Sequence, residues 1–234
     1  MEAIILAGGK GTRLAGVIPN LPKPMAPIAG LPFLHYLLQS LEQQGFTRAI
    51  LSIGYRAPDI RNGFAQWDGP LQIEFCEELE PLGTGGAIRA ALPMAQSEYV
   101  FVINGDTFAT IDYNAMAAQQ RETGSALSLA LMPVEDTARY GAVEVDGVQI
   151  KGFSEKGRTG AGYINAGIYL MERNLLETLD LPEKFSFEEA VLMQKLSTLR
   201  PTAFLASGYF IDIGIPEDYA RAQVELPKET SRAK

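Results

Sequence analysis

The opening 25 residues constrain this chain more than any other stretch. An apolar run, Ala3-Ile4-Ile5-Leu6-Ala7, breaks into Gly8-Gly9-Lys10-Gly11-Thr12-Arg13, and Pro22-Lys23-Pro24-Met25 follows. A short apolar run bounded by glycines reads as a buried strand. Three glycines within four residues let the main chain turn tightly and bring N–H groups onto an anion, because no Cβ stands in the way. Lys10, Arg13 and Lys23 add positive charge around the same point, so the stretch suits a polyphosphate. It matches neither familiar phosphate loop. Lys10 is followed by Gly11 where a Walker A loop needs Ser or Thr, and Leu14 stands where a dinucleotide fingerprint needs its third glycine. A plain glycine turn after a strand is the alternative, and Arg13 with the rigid Pro-Lys-Pro weighs against it.

The rest of the chain alternates strand and helix signals. Phe33, Leu34, Leu37, Leu38 and Leu41 recur at helical spacing and predict a helix over 32–44, closed by Gly45. Strands are expected at 49–53, 71–76 and 99–103, with a helix over 85–91 and helical character over 107–120. Strands separated by helices in this way imply a parallel sheet. The second half is less regular: a strand at 126–132, a hairpin over 143–150 turning at Asp146-Gly147, and a strand at 163–171. Ser186-Phe187-Glu188-Glu189 reads as a capping box for a helix running to about 199, before strands at 203–206 and 209–213. Pro216 opens a last helix to about 224, and 227–234 reads as a frayed polar tail. The expected fold class is α/β: one domain over 1–226, Rossmann-like, with a mixed, mainly parallel sheet and helices on both faces.

Composition narrows the function. With 234 residues, 47% of them hydrophobic, the chain can bury one substantial core. Its formal net charge of −8 argues against nucleic acid or an anionic membrane as the main partner, since each calls for a basic face. No apolar run approaches a membrane span and the N-terminus does not read as a leader, so a cytoplasmic enzyme is the expectation. The single Cys76 cannot form an internal disulfide, and with the single His35 it cannot build a structural zinc site. No hexapeptide repeat of the β-helix kind is present.

Two aspartates stand out. Asp106, in Asn104-Gly105-Asp106, follows a wholly apolar strand directly and so lies at its carboxyl end, where open α/β sheets bind ligands. Asp212 sits within the apolar run Tyr209-Phe210-Ile211-Asp212-Ile213, a costly position for a carboxylate unless it is paired or bound to a cation. Together they suit Mg²⁺, which takes one or two carboxylates along with substrate phosphates. The alternatives are a hairpin turn at Asn104-Gly105 and an Asp212 that merely satisfies buried backbone.

The opening stretch, with Pro22-Lys23-Pro24-Met25, resembles the signature of sugar-1-phosphate nucleotidyltransferases, and further motifs follow in the family's order from Ile4 to Tyr219. The resemblance implies that 1–110 binds the nucleotide and 111–226 the sugar phosphate. Nucleotide contacts are then expected from Leu6, Ala7, Gly8, Gly9, Gly11, Thr12, Arg13, Lys23, Gly83 and Thr84. Sugar contacts are expected from Gly105, Tyr140, Gly141, Glu155, Lys156 and Asn165. Asp106 and Asp212 match the metal positions, for Mg²⁺ or alternatively Mn²⁺. Glu77, Glu78 and Glu80 flank Pro81-Leu82-Gly83-Thr84-Gly85-Gly86, which resembles the family's base-binding segment, and Glu80 is the one expected to read the base, because guanine offers two adjacent N–H donors to a carboxylate. The implied partners are GTP and a sugar 1-phosphate, with no nucleic acid and no membrane, and a monomer or homodimer as the state. Uridylyltransferases of the family are the alternative to guanylyltransferases. A silent sugar-nucleotide sensor is the alternative of another class; such a protein would be expected to lose Asp106, Asp212 or the Arg13 and Lys23 pair.

The implied catalytic residues are Arg13, Lys23, Asp106 and Lys156. A sugar phosphate attacking the α-phosphorus of a nucleoside triphosphate must overcome repulsion between two anions, so cations set in advance do most of the work. Arg13 and Mg²⁺ are expected on the triphosphate, Lys23 on the α-phosphate and Lys156 on the incoming phosphate. The nucleophile is already ionised at neutral pH, so no general base is called for.

Overall fold

In the computed structural model, which describes residues 1–9, 16, 18 and 21–232, strands and helices alternate along the first half of the chain. In order these are β1 (Glu2–Leu6), a short 3-10 turn Lys23–Met25, β2 (Pro27–Ile28), β3 (Leu31–Pro32), α1 (Phe33–Gln43), β4 (Arg48–Ile53) and α2 (Ala57–Phe64). Next come β5 (Gln72–Glu77), α3 (Gly83–Ala91), β6 (Tyr99–Asn104), β7 (Thr107–Ala109), α4 (Tyr113–Thr123) and β8 (Leu127–Val134). The remainder holds β9 (Val143–Asp146), β10 (Gln149–Phe153), β11 (Gly162–Glu172), a π-helical segment Glu188–Met193, α5 (Leu196–Leu199), β12 (Thr202–Leu205), β13 (Phe210–Asp212) and α6 (Pro216–Arg232).

Among the described residues nine strands form one sheet in the order β5-β4-β1-β6-β11-β8-β12-β10-β9. The sheet is mixed, and its parallel character is concentrated where strands and helices alternate. β5, β4, β1 and β6 pair in parallel, while β11 runs antiparallel to both β6 and β8. Beyond them β12 is parallel to β8, and β10 is antiparallel to its neighbours β12 and β9.

The apolar strands divide between two cores by simple alternation. Ala3, Ile5, Phe101 and Ile103 face a core built with α1, α2, α4 and α6, in which Leu37, Ile60, Met116 and Leu226 are buried. Ile4, Val100 and Val102 face the other, closed by Ile88 of α3 and by Leu176, Phe187 and Val191. The middle residues of β1 and β6 are therefore apolar without alternation because they are covered on both sides. Phe46, Phe101 and Tyr113 meet edge-to-face with centroids 5.0 to 5.3 Å apart, an arrangement that adds to the area they bury.

Three expectations are corrected. Residues 107–109 form a strand where a helix over 107–120 was expected, and the helix starts only at Tyr113, capped by the Asp112 carboxylate. β7 does not return along β6 as a hairpin; it pairs with β13, just over a hundred residues away. The helix from Ser186 is split into the π-helical segment and α5, and α6 continues past 224 and Pro227 to Arg232 where a frayed tail was expected. Ala222, Leu226 and Thr230 make a buried stripe at four-residue spacing, and that burial carries the helix through the proline. Among the described residues no helix is long and apolar enough to cross a membrane.

Candidate active site

A cleft of about 810 Å³ opens at the carboxyl ends of β1, β4 and β6. Its floor is the exit from β1, Leu6 to Gly9, with Gly54 and Tyr55 on one side and Asn104 and Asp106 on the other. Two glycines permit this convergence. A Cβ on Gly8 would lie 2.9 Å from Glu78 Oε1 and 3.2 Å from the Gly54 nitrogen; one on Gly105 would lie 2.7 Å from the Leu6 carbonyl oxygen. The Gly105 N–H instead donates to that carbonyl at 3.0 Å, so β6 turns against the end of β1 and points Asp106 into the cleft.

Lys23 and Asp106 meet here. Lys23 Nζ lies 2.6 Å from Asp106 Oδ2, and the lysine side chain is only 11% exposed. Asp212 is brought alongside by the β7 and β13 ribbon, in which it pairs with Thr107 while the Ile213 N–H donates to the Asp106 carbonyl at 3.1 Å. The Asp212 carboxylate accepts from the Gly214 N–H at 2.7 Å and from Arg139 Nη2 at 3.0 Å. Arg139 also pairs with Asp218 and stacks 4.8 Å over the Tyr140 ring. Burial pushes the Asp212 carboxyl up from its ordinary value, and the neighbouring Asp106 charge pushes it further; Arg139 opposes both. Two neighbouring carboxylates in part-buried surroundings are a donor set that fits a hard divalent cation.

The other expected residues fall into three groups. Gly11, Thr12 and Arg13 lie outside the described residues. Leu6, Ala7, Gly8, Gly9, Gly83 and Thr84 line the cleft. Gly83 has φ +74°, and a Cβ there would meet the Phe185 carbonyl oxygen at 2.5 Å. Glu80 does not reach the cleft: it is exposed and ion-paired with Lys184 Nζ at 2.7 Å. Glu78, two residues earlier, does line it. Its carboxylate accepts from Ser52 Oγ at 3.1 Å and from the Leu82 N–H at 3.2 Å.

The sugar-side residues are less concentrated. Tyr140 is half-buried between Arg139 and Phe210, and Gly141 has φ +81° with the Ser154 carbonyl 2.6 Å from where a Cβ would be. The Asn165 amide bridges Tyr169 and the Gly167 N–H at 2.9 Å each. Glu155 and Lys156 are exposed after β10 and lie outside the cleft lining. Sequence reasoning placed Glu78 beside the base segment but chose Glu80, and it missed Arg139 and Glu188 as site residues. Glu188 lines the cleft and accepts from Thr84 Oγ1 at 3.0 Å, a contact across 104 positions that no local pattern announces.

This glycine floor at the carboxyl ends of parallel strands, flanked by a lysine and two neighbouring carboxylates, is the ligand-binding edge of an open α/β sheet. The chain belongs to the nucleotidyl transferase family, whose profile matches residues 2–229. It is 43% identical over 97% of its length to D-glycero-alpha-D-manno-heptose 1-phosphate guanylyltransferase of Aneurinibacillus thermoaerophilus, covering 98% of that protein. It is 42% identical over 94% of its length to the protein of the same name from Campylobacter jejuni, covering 97% of it. The structure of HddC from Yersinia pseudotuberculosis complexed with GMP-PN superposes with a TM-score of 0.84 and 40% identity, over 95% of this chain and 97% of that one.

Proposed function

We propose that this protein is a sugar-1-phosphate guanylyltransferase, joining GTP to D-glycero-α-D-manno-heptose 1-phosphate with release of pyrophosphate. The observation that carries the reading is its 43% identity, across nearly the whole of both chains, to the Aneurinibacillus protein of that name. The Yersinia protein, complexed with GMP-PN, favours a guanine nucleotide. Mannose-1-phosphate guanylyltransferases are more distant; that of Mycobacterium tuberculosis is 33% identical, and this chain covers 64% of its length.

In this reading the nucleotide lies along the floor, its phosphates over Gly8 and Gly9 and toward Lys23. Asp106 and Asp212 would hold Mg²⁺, which when bound would neutralise phosphate charge and draw the two anionic substrates together. Lys23, held 2.6 Å from Asp106, is poised at the α-phosphate, where its charge offsets what develops as the sugar phosphate attacks. Arg139 keeps the Asp212 carboxylate oriented through its 3.0 Å contact. Arg13 is assigned to the triphosphate and Lys156, with Glu155 and Tyr140, to the sugar phosphate. The exposed position of Lys156 requires the loop after β10 to approach the cleft when substrate is bound. Glu78 replaces Glu80 as the guanine reader, since it lines the cleft beside Gly8 and its two oxygens can each accept a further N–H.

Pyrophosphate release, measured with GTP or UTP and with heptose, mannose or N-acetylmuramate 1-phosphate, tests the reading. GTP with the heptose phosphate should give the highest kcat/KM. No release with any pair would leave the protein as a sensor and overturn the proposal.

A further inference from the structure

The cleft carries a carboxylate that phosphate chemistry does not use. Glu188, first residue of the π-helical segment, lines the wall that also holds Thr84, Asn104 and Asp106. Its Oε2 accepts from Thr84 Oγ1 at 3.0 Å and from Ser186 Oγ at 3.2 Å. Its Oε1 faces the Tyr169 hydroxyl at 3.5 Å, longer than an ordinary O–H···O bond. The partners of Glu188 among the described residues are thus hydroxyls alone. The other two cleft acids are held differently: Asp106 by Lys23, and Glu78 by a backbone N–H together with Ser52.

Among the described residues no cation neutralises this carboxylate, and a negative charge in the cleft repels phosphate. It favours a hydroxyl over a phosphate, and a hydroxyl bonded to an ionised oxygen makes roughly twice as strong a bond as a neutral pair. GTP and a sugar 1-phosphate each offer hydroxyls, one set on the ribose and one on the sugar ring. Strand order separates the two. Glu78 leaves β5, the floor glycines leave β1 and Asp106 leaves β6, while Glu188 stands between Thr84 in the first turn of α3 and Tyr169 of β11, the strand beyond β6. With strands about 4.8 Å apart, β5 to β11 spans on the order of 20 Å, about the length of an extended nucleotide sugar. A base at Glu78 and phosphates at Asp106 leave the transferred sugar on the β11 side.

We propose that Glu188 is a specificity-determining residue whose Oε1, met among the described residues only by the long Tyr169 contact, accepts hydroxyls of the sugar ring. The inference rests on the guanylyltransferase reading above and names the sugar-selecting group within it.

Steady-state kinetics on the full chain with GTP and Mg²⁺ test it. Glu188→Gln preserves size while removing the charge. The KM for the sugar 1-phosphate should rise about tenfold or more, while the KM for GTP stays within twofold. Mono-deoxy analogues of the accepted sugar 1-phosphate give the sharper readout: the wild type should discriminate against at least one, and the variant should lose that discrimination. A merely structural role would lower activity equally for parent and deoxy sugars, and that result overturns the proposal. So does a variant that instead loses discrimination against 2′-deoxy-GTP, which would assign Glu188 to the ribose. If Glu188→Gln melts before it can be assayed, Glu188→Asp, which retracts the carboxylate by one methylene, must show the same selective loss. A wild type that turns over GTP with its sugar, beside an unchanged Glu188→Gln, defeats this inference alone; a wild type inactive with every sugar 1-phosphate defeats the parent reading and this inference with it.

Discussion

At the scale of single residues the site divides by how its members are held. Lys23 and Asp106 form a part-buried pair in which each neutralises the other, so replacing one leaves an unpaired charge in the cleft. Lys23→Ala should lower kcat by about 100-fold or more, the size of effect seen when a preorganised electrostatic group is removed, with little loss of GTP binding. A kcat within a few-fold of wild type in the pyrophosphate assay would exclude Lys23 from the transition state. Glu78→Gln should reduce the GTP-over-UTP preference about tenfold or more, whereas Glu80→Gln should leave it unchanged, because Glu80 is occupied by Lys184 on the surface. Competition between the two nucleotides in one reaction measures both. The sequence marks the acidic segment but not which member turns inward. That depends on how the chain leaves β5 beside β4, where the Glu78 N–H is bonded to Ile53 and its carboxylate to Ser52.

Far from the cleft, Glu2 sets the pH response of the β1 and β4 starts. It is 5% exposed and accepts from the Gln96 and Ser97 N–H groups and from Arg48. Burial pushes its carboxyl up, but the Ser97, Gln96 and Arg48 bonds outweigh burial and leave it lowered. Its folded-state value therefore lies below its unfolded one, so its stabilisation is complete above about pH 4.5 and disappears as pH falls through the lowered value. Glu2→Gln should cost about 1 to 3 kcal/mol at neutral pH, and the difference from wild type should shrink in urea melts below about pH 4.5.

At the scale of elements, length decided what could be read. β1, β4 and β6 are five or six residues long and mostly apolar, and they are bounded by glycine or polar residues, so they are visible in the sequence. β7 is three residues long, and its neighbours look helical; only β13, drawn from far along the chain, stabilises it as a strand. α6 shows the opposite case. Proline inside a helix forfeits a hydrogen bond and costs about 3 kcal/mol, which argues for a stop at 227. Leu226, fully buried against the first core, offsets that cost, and the helix is tied down earlier by Tyr219 and Gln223 bonding to the Pro27 carbonyl at 2.7 and 2.8 Å. Leu226→Ala should therefore lose about 2 to 5 kcal/mol, a larger effect than any substitution in a frayed tail could produce, and a calorimetric melt would register it.

Across the whole molecule, the β7 and β13 ribbon joins the early and late parts of the chain at the cleft, and it carries the two carboxylates with it. Divalent cation binding there should stabilise the folded state by mass action, by about 2.7 kcal/mol at one hundred times the dissociation constant. Melting curves with EDTA and with Mg²⁺ plus GTP should differ by several degrees in the wild type. Asp212→Asn should abolish most of that difference. An equal shift in both proteins would remove Asp212 from the metal site.

The sequence alone determined the alternation that makes this an α/β protein, the glycine turn after its first strand and the identity of Lys23, Asp106 and Asp212 as the groups to watch. Each of those is a local pattern of spacing, apolarity or charge. Tertiary structure alone decided that Asp212 meets Asp106, that Glu78 and not Glu80 turns inward, and that Arg139 and Glu188 belong to the site. The reason is physical: those relations depend on which strands pair and which helix ends meet, and contacts between residues far apart in the chain leave no trace in the local spacing of either partner.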